Sequence, residues 1–275
     1  MEKKDLRYEF GKNWLNFTEN ALNDERITSS INSLRNLLKL DNLGGKTFLD
    51  IGCGSGLFSL AAYRLGAEKI VSFDYDPDSV KASIFLRKSN NVSEEKWQIY
   101  QGSILDEDFL SKIKPADIVY SWGVLHHTGA MWQAIDNSVR YVKPNGILAI
   151  AIYNKVDNRL GGSEMWWHIK RAYNRSSMLG RKMIEYLYIM YLIFCKLIVL
   201  RDPFKQIRKH GDASGRGMDF FHDVRDWVGG FPYEYATAGE VFNYLHEKHN
   251  LDLLSLQTHD GHICNQFTFV KRTSP

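Results

Sequence analysis

Two aspartates and three alternating glycines form the part of the sequence best suited to hold a small charged ligand. Asp50 precedes Gly52, Gly54 and Gly56 in the string LDIGCGSG, and Asp74 follows 24 residues after Asp50 in FDYDP. Glycines let the backbone turn sharply and approach a ligand closely. An acidic side chain at the end of the next strand can accept hydrogen bonds from ribose hydroxyls. The pattern predicts a nucleoside-binding site at the start of an α/β fold.

The glycine spacing distinguishes between two kinds of ligand. Dinucleotide folds hold a pyrophosphate on a G-x-G-x-x-G loop, whereas this chain reads G-x-G-x-G. Asp50 lies just before the first glycine, where its carboxylate would repel a pyrophosphate and attract a cationic amino group. These features favour a positively charged nucleoside ligand over NAD.

Alternating strand-like and helix-like segments must position these residues. The apolar runs have no clean period of two, which is typical of strands covered by helices on both faces. We therefore predict an α/β fold, Rossmann-like and doubly wound, with a mostly parallel seven-stranded sheet. The predicted strands are 47–51, 70–73, 97–100, 117–121, 147–153, 251–257 and 266–271.

The segments outside this alternation predict a helical lid and a helical cap. A helix is expected at about 18–40 because its apolar residues recur at helical spacing. Residues 155 to about 215 are helical, aromatic and basic in character, and Thr237 and Glu240 have capping-box spacing. We expect four parts: residues 1–45 as N-terminal lid and helix, 46–154 as core, 155–235 as cap and acceptor insertion, and 236–275 as last helix and closing strand pair.

The motifs together resemble those of the class I methyltransferases that use S-adenosylmethionine (SAM), in particular bacterial members similar to methyltransferase types 11 and 12. The resemblance rests on LDIGCGSG, VSFDYDP, QGSILD, DIVYSWGVLHHT and VKPNGILAIAIYN, within about residues 46–154. It implies that SAM is the cofactor. By the same resemblance, Gly52, Gly54 and Gly56 would line its methionine and ribose part, Asp50 would lie near its amino group, and Asp74 would hold its ribose hydroxyls.

The resemblance extends to five further cofactor residues. Tyr75 would lie beside the adenine, and Ser121 and Trp122 would border the methionine tail. Ser103, followed by Ile104, falls where many members have an acidic residue that faces the adenine amino group. A serine hydroxyl can also accept a hydrogen bond, so the adenine contact is expected here with a different residue type.

Three histidines are candidate general bases, because a neutral hydroxyl acceptor must lose its proton during methyl transfer. His126 and His127 follow the fourth predicted strand, at the mouth of the predicted cleft, and His222 stands next to Asp223. In the alternative interpretation, the Leu-His-His string only shapes the cleft, since it also occurs in family members of varied chemistry.

Charge and cysteine content restrict the function classes. Lys and Arg number 35 against 32 Asp and Glu, for a net charge of +3. This balance does not indicate a nucleic-acid binder, because such proteins usually have a concentrated basic face. Cys53, Cys195 and Cys264 are too far apart for a metal cluster or a disulfide framework. The first residues lack the apolar run of a signal peptide. We expect a cytoplasmic protein with no bound metal.

One apolar segment raises the question of a membrane. Residues 183–200 are strongly apolar but include Glu185 and Lys196. Charges near the centre of a spanning helix cost a few kcal/mol each. We therefore expect a helix that is buried or docks on a surface, with a peripheral membrane contact among the candidates.

The cap sequence carries an aromatic set and a basic set. We favour an aromatic set that packs the cap's own core over one that lines an apolar or sugar-binding pocket. The basic set could form a solvated helix face or meet an anionic group. The aromatic residues are Trp166, Trp167, Tyr173, Tyr186, Tyr188, Tyr191 and Phe194, and the basic residues are Lys170, Arg171, Arg175, Arg181 and Lys182.

These observations lead to one expected activity and its alternatives. We expect transfer of a methyl group from SAM to a small-molecule or carbohydrate hydroxyl. Residues 216–234 are expected to form the acceptor wall, and Phe10–Phe17 to close over the cleft. The alternatives are a protein or RNA methyltransferase and a SAM-binding regulator without catalysis.

Overall fold

A computed structural model describes residues 22–198 and 220–272, together with Tyr8, Phe10, Gly11, Trp14 and Thr18. For residues 220–223 it describes the backbone alone. Seven strands form one sheet: β1 (Thr47–Ile51), β2 (Lys69–Asp74), β3 (Trp97–Gln101), β4 (Ala116–Trp122), β5 (Val142–Tyr153), β6 (Leu251–Gln257) and β7 (Cys264–Lys271). Their order is β3-β2-β1-β4-β5-β7-β6, and β7 runs antiparallel to both of its neighbours. The predicted mostly parallel, seven-stranded sheet is confirmed.

Helices cover both faces of this sheet. The helices of the core are α1 (Asp24–Leu38), α2 (Leu57–Arg64), α3 (Pro77–Ser89), α4 (Glu107–Leu110) and α5 (Met131–Arg140). A 3₁₀ turn, Leu125–His127, follows β4. Between β5 and β6 lie α6 (Ser163–Arg175), α7 (Met178–Ile198), α8 (Phe220–Gly229) and α9 (Ala238–Asn243), and α9 continues into a π-helical turn, Tyr244–Lys248.

The strand sequences explain why both faces are buried. In β1, Phe48 faces one apolar cluster and its neighbour Leu49 faces the other, as the alternation of side chains along a strand requires. Ile118 and Val119 of β4 divide in the same way. Asp50 is paired with Ser72 of β2 and Tyr120 of β4, so this carboxyl lies on an interior strand of the sheet, between β2 and β4.

The N-terminal helix begins later than the sequence suggested. Asn23 caps α1 by accepting a hydrogen bond from the Arg26 N–H (2.9 Å), so the helix starts at Asp24 rather than near Thr18. Gly11, Trp14 and Thr18 are themselves helical, and the Thr18 hydroxyl donates to the Trp14 carbonyl (2.7 Å). The chain ahead of α1 therefore includes a separate helical part.

The cap has its own apolar cluster. Trp166 and Tyr173 of α6 are buried against Val224 and Val228 of α8, and Tyr188 of α7 packs at the edge of this cluster. Tyr186, Tyr191 and Phe194 of α7 are instead exposed. The expectation that the aromatic set packs the cap's own core is therefore correct for α6 and wrong for these three residues. The reason is that α7 contacts the cap through one face only.

At the start of α9, Thr237 and Glu240 form the predicted capping box, with the Thr237 hydroxyl accepting from the Glu240 N–H (3.1 Å). Among the helices of the described residues, none combines the length and apolarity needed to cross a membrane. Val199 and Leu200, the end of the apolar segment 183–200, lie outside the described residues.

Candidate cofactor and acceptor site

A cavity of about 980 Å³ opens at the carboxyl ends of β1, β2 and β4. In a doubly wound sheet this edge is where ligands bind, because the chain leaves neighbouring strands in opposite directions there. The predicted cofactor residues that line the cavity are Asp50, Gly52, Gly54, Asp74, Tyr75, Ser103, Ile104 and Trp122.

The glycine loop shapes one wall of the cavity. Gly54 has a φ of +54°, a backbone conformation that residues other than glycine rarely adopt. Its N–H donates to Asp74 Oδ2 (2.9 Å), which joins the loop to the end of β2. The Trp14 ring lies against the loop, because a Cβ added to Gly54 would come within 3.3 Å of it. The Trp14 side chain therefore covers the loop.

Asp74 and Asp50 place two buried carboxyl groups at the cavity. The second oxygen of Asp74 accepts from the Asp76 N–H (2.9 Å), and Asp50 accepts from the Ser59 hydroxyl (2.6 Å). Burial raises the pKa of Asp50 to about 7 and that of Asp74 to about 6. Among the described residues, neither carboxyl has a basic partner. Two buried carboxyl groups without a partner cation fit a ligand that brings its own positive charge.

Two predicted cofactor residues lie behind the cavity wall. The Ser121 side chain is fully buried and donates to the Ile51 carbonyl (3.0 Å), which ties β4 to β1. Gly56 lies against α3 and β3, where a Cβ would come within 2.8 Å of the Ser83 hydroxyl and 3.0 Å of the Trp97 ring. Both residues support the loop from behind, because packing between the strands and α3 leaves no room for them to face the ligand.

The two neighbouring histidines occupy different environments. His127 lines the cavity, and its Nδ1–H donates to the Pro232 carbonyl oxygen (2.6 Å). A carbonyl can only accept, so this bond places the proton of the neutral ring on Nδ1 and the basic lone pair on Nε2. His126 is fully buried, and its Nδ1 accepts from the Tyr153 N–H (3.4 Å). The prediction that His126 is a base at the cleft conflicts with this placement, since it lies inside the wall and not on it.

The segment after α8 fastens the cap to this histidine turn. The Glu234 N–H donates to the His126 carbonyl (2.9 Å), and both Glu234 carboxylate oxygens accept from the Met131 N–H (3.2 and 3.1 Å) at the start of α5. Glu234 is therefore a helix cap. Tyr233 is buried in the cap cluster, with its hydroxyl near His262 Nδ1 (3.4 Å). Of the expected wall residues, Tyr233 and Glu234 do not line the cavity.

Other parts of the expected wall divide in the same manner. Asp226 and Trp227 of α8 do line the cavity. The wall was expected to be a glycine-rich loop, but its described part is largely helix α8. Arg216 and the side chain of His222 lie outside the described residues, so His222 stays a prediction.

An aromatic compartment adjoins the glycine loop. Tyr8, Phe10, Tyr153, Asp226 and Trp227 line it beside His127. Tyr8 forms a hydrogen bond with Asp226, and the Phe10 ring centroid lies 5.2 Å from that of His127. Phe10 belongs to the predicted lid segment, and Asp226 and Trp227 belong to the predicted acceptor wall, whereas Tyr8 and Tyr153 were not predicted as site residues. Tyr153 could have been found, because it ends β5 at the ligand edge of the sheet.

A buried lysine supports Trp227 from behind. Lys170 is fully buried, donates a hydrogen bond to the Trp227 carbonyl oxygen, and lies 4.0 Å from the centroid of the Trp227 ring. Burial lowers the pKa of Lys170 well below its usual range. Neither interpretation of the basic set applies to this residue, since it is neither solvated nor open to an anion. Its position fixes the orientation of the indole.

A doubly wound sheet with a glycine loop and a buried carboxylate at the end of its second strand is the architecture of a class I SAM-dependent methyltransferase. A methyltransferase domain model matches residues 42–190, so the chain belongs to that family. The sequence-based assignment to this class, with SAM as its cofactor, is confirmed.

Curated relatives match over a limited region. The chain is 34% identical over 110 residues to ribosomal protein L11 methyltransferase of Vibrio parahaemolyticus, covering 40% of this chain and 34% of that protein. The enzyme of the same name from Colwellia psychrerythraea is 35% identical over 113 residues, with the same two coverages. The match therefore spans about a third of the length of these relatives.

Solved structures share the fold over most of the chain. An O-methyltransferase family protein from Burkholderia thailandensis aligns with a TM-score of 0.55 and 12% identity, covering 92% of this chain and 59% of that one. Magnesium protoporphyrin IX methyltransferase from Synechocystis PCC 6803 aligns with a TM-score of 0.51 and 13% identity, covering 97% and 89%. At these identities the likeness concerns the fold alone.

Proposed function

We propose that the protein transfers the methyl group of SAM to a hydroxyl of a small-molecule or carbohydrate acceptor, with His127 as the general base. The observation that carries the proposal is the bond from His127 Nδ1–H to the Pro232 carbonyl (2.6 Å), in a residue that lines the same cavity as Asp74 and the glycine loop. This bond holds the His127 ring in one tautomer, with Nε2 as the basic nitrogen, in the cavity that the predicted cofactor residues also line.

The residues of this chain divide the work of the reaction. SAM, when bound, supplies an electrophilic methyl group on a sulfonium centre. Asp74 would hold the ribose hydroxyls, Asp50 would lie near the amino group, and Trp14 would cover the loop. His127 Nε2 would take the acceptor's hydroxyl proton as its oxygen forms the new bond to carbon. General-base assistance of this kind contributes about 10²–10⁴-fold to a rate.

The compartment beside His127 supports a ring-shaped hydroxyl acceptor. Aromatic side chains such as Phe10 and Trp227 offer flat apolar faces, and Asp226 offers a carboxylate that accepts hydrogen bonds. A phenol or a sugar has a face that can lie on such rings and hydroxyls that can donate to Asp226. An anionic acceptor would be disfavoured there by repulsion from Asp226 and Asp74.

The test compares His127→Asn with the unchanged protein on a panel of phenols, sugars and carboxylates, with S-adenosylhomocysteine formation as the readout. We expect turnover on a hydroxyl acceptor to fall by about 10²–10⁴-fold, with SAM affinity little changed. His259→Asn, an exposed histidine outside the cavity, is the matched control. If His127→Asn retains full turnover, His127 is not the base. If only the carboxylates react, the hydroxyl assignment is wrong.

The curated relatives named as ribosomal protein methyltransferases make a protein acceptor the first alternative. RNA methylation and a non-catalytic SAM-binding regulator are the others. SAM binding without turnover on small molecules, proteins or RNA would favour the regulator. We retain as part of the proposal the division into lid, core (46–154), cap insertion (155–235) and closing segment, with His222 as a second candidate base. The expectation of a cytoplasmic protein is also retained.

A further inference from the structure

The outer face of α7 is an apolar surface that the described residues of the protein leave uncovered. None of the 21 residues of this helix is buried. Ten large apolar side chains on it are between 55% and 79% exposed: Met178, Leu179, Met183, Tyr186, Leu187, Met190, Tyr191, Phe194, Leu197 and Ile198. We call these ten residues the α7 stripe. A contiguous exposed patch of this kind marks an interaction site.

The stripe follows the helical period. Its members Leu179, Met183, Leu187, Met190 and Phe194 are spaced by three or four residues, which places them on one side of a helix. The inner side is separate and is formed by residues that pack against the cap cluster: Ile184, Tyr188, Ile189 and Leu192. The helix therefore has one apolar face that packs against the cap and a second apolar face that is exposed.

The charge around the stripe is positive. Residues 163–198 contain six Lys and Arg and two Glu, a net charge of +4, while the whole chain has +3. Glu185 is the one acidic residue of α7, and it turns inward, where it accepts from the Tyr173 hydroxyl (2.6 Å) and pairs with Arg225 (3.3 Å). Lys170 is buried, so five basic residues remain to face outward or flank the helix: Arg171, Arg175, Arg181, Lys182 and Lys196.

We propose that the α7 stripe docks on an anionic lipid surface. An interfacial helix of this type buries an apolar face at the boundary of headgroups and acyl chains, while Lys and Arg beside it attract anionic lipids. Two other occupants fit the charge less well. A second copy would bring two surfaces of +4 together. The sequence 199–219 carries five Lys and Arg against three Asp, a net charge of +2, so it repels rather than neutralises α7. The proposal does not depend on the identity of the methyl acceptor.

The first experiment is flotation of the full chain with vesicles. One set contains equal parts of phosphatidylcholine and phosphatidylglycerol, and the other contains phosphatidylcholine alone. We expect binding to the anionic vesicles and weak binding to the neutral ones. The bound fraction should decrease as salt rises from about 0.1 to 1 M, because the Debye screening length shortens from roughly 10 to 3 Å. Equal binding to both sets, or no binding to either, would overturn the proposal.

Matched variants separate the apolar and the basic contributions. Met190→Glu with Phe194→Glu should lower partition to anionic vesicles by about tenfold or more, whereas Leu254→Glu, an exposed apolar position on β6, should not. Arg175→Glu with Lys182→Glu should weaken binding more than Lys112→Glu with Lys114→Glu, which changes net charge equally at exposed positions elsewhere. Melting temperature and SAM affinity should stay unchanged throughout, because α7 does not line the cavity.

Sedimentation of the same proteins without lipid tests the rival occupant. We expect that the protein does not self-associate through the α7 stripe. Any concentration-dependent association should therefore persist in the Met190→Glu and Phe194→Glu variant. If the chain dimerises through the stripe and fails to float with anionic vesicles, the surface is an interface between copies and the proposal is wrong.

Discussion

The cofactor half and the acceptor half of the cavity are built from the chain in different ways. The cofactor half comes mainly from residues 50–104, where the ends of β1 and β2 and the turn after β3 contribute in sequence order, and Trp14 and Trp122 complete it. The acceptor half draws Tyr8 and Phe10, the turn after β4, the end of β5, α8 and the start of β7 into one place. Local spacing encodes the first half, whereas the second half exists only after the chain has folded.

The two halves also differ in how their side chains are held in place. The cofactor half holds Asp74 with the backbone N–H groups of Gly54 and Asp76, and Asp50 with the Ser59 hydroxyl. The acceptor half consists of side chains from elements that are distant from one another in the sequence. Function on such a fold is determined by these additions.

The largest expected effect concerns the cofactor half. Asp74→Asn should weaken SAM binding by about 3 kcal/mol, roughly a hundredfold, because charge-assisted hydrogen bonds to the ribose are lost. Isothermal titration calorimetry measures the affinity. Asp106→Asn, an N-cap outside the cavity, is the control. Unchanged SAM affinity in Asp74→Asn would show that the ribose lies elsewhere.

The second effect is a pH dependence of the same half. Burial raises the pKa of Asp50 to about 7 and of Asp74 to about 6, so both carboxyl groups lose their protons as pH rises through this range. Affinity for cationic SAM should therefore increase by about tenfold between pH 5.5 and 8, which corresponds to roughly 1.4 kcal/mol. Asp50→Asn should reduce the slope, and a flat profile would contradict the assignment.

The ligand-free protein should show the opposite trend in stability. The folded state binds protons at these carboxyl groups up to a higher pH than the unfolded chain does. The free energy of unfolding should therefore fall as pH rises from about 4 to 7. Saturation with SAM should remove part of this fall, because the ligand favours the charged form. Thermal melts with and without SAM test both statements.

The third effect tests the lid that joins the two halves. Trp14→Ala should cost about 1 kcal/mol of SAM affinity, roughly fivefold, because apolar cover over Gly54 and Leu57 is lost. Trp132→Ala, whose ring packs on Tyr244 away from the cavity, is the matched control. Deletion of residues 1–17 should leave a folded protein with weak activity. Full turnover by that truncation would refute the lid.

The smallest effect on turnover is expected at Tyr233. Its hydroxyl lies within the cap cluster near His262, so Tyr233→Phe should lower the free energy of unfolding by about 1 kcal/mol and leave turnover nearly unchanged. This outcome replaces the sequence-based expectation that Tyr233 contacts the acceptor. A drop in turnover at constant melting temperature would restore that expectation.

The parts that the sequence predicted are those with a local cause. The bounds of β1 and β6 and the Thr237–Glu240 capping box follow from neighbouring residues. The alternation of strand-like and helix-like segments likewise predicts a sheet covered by helices, because both faces of its strands must bury apolar side chains.

The rest depends on contacts between distant residues. No local pattern indicates that Pro232 sets the tautomer of His127, that Glu234 caps α5 or that Lys170 lies beneath Trp227. His126 and His127 are adjacent and identical in type, yet one is inside the wall and the other on it. Their difference arises from the 3₁₀ turn and from the cap segment packed on it.

The attachment of residues 230–236 to the histidine turn has a consequence for the timing of turnover. The bonds of Pro232 and Glu234 join His127, the cap segment and the start of α5 to one another. The N-terminal segment is held by the Tyr8 N–H to the Phe231 carbonyl (3.0 Å) and the Gly11 N–H to Asp76 (2.8 Å). We expect these two bonds to open when S-adenosylhomocysteine departs. We expect a rapid first turnover followed by a slower steady state, with the slow phase set by release of the N-terminal segment.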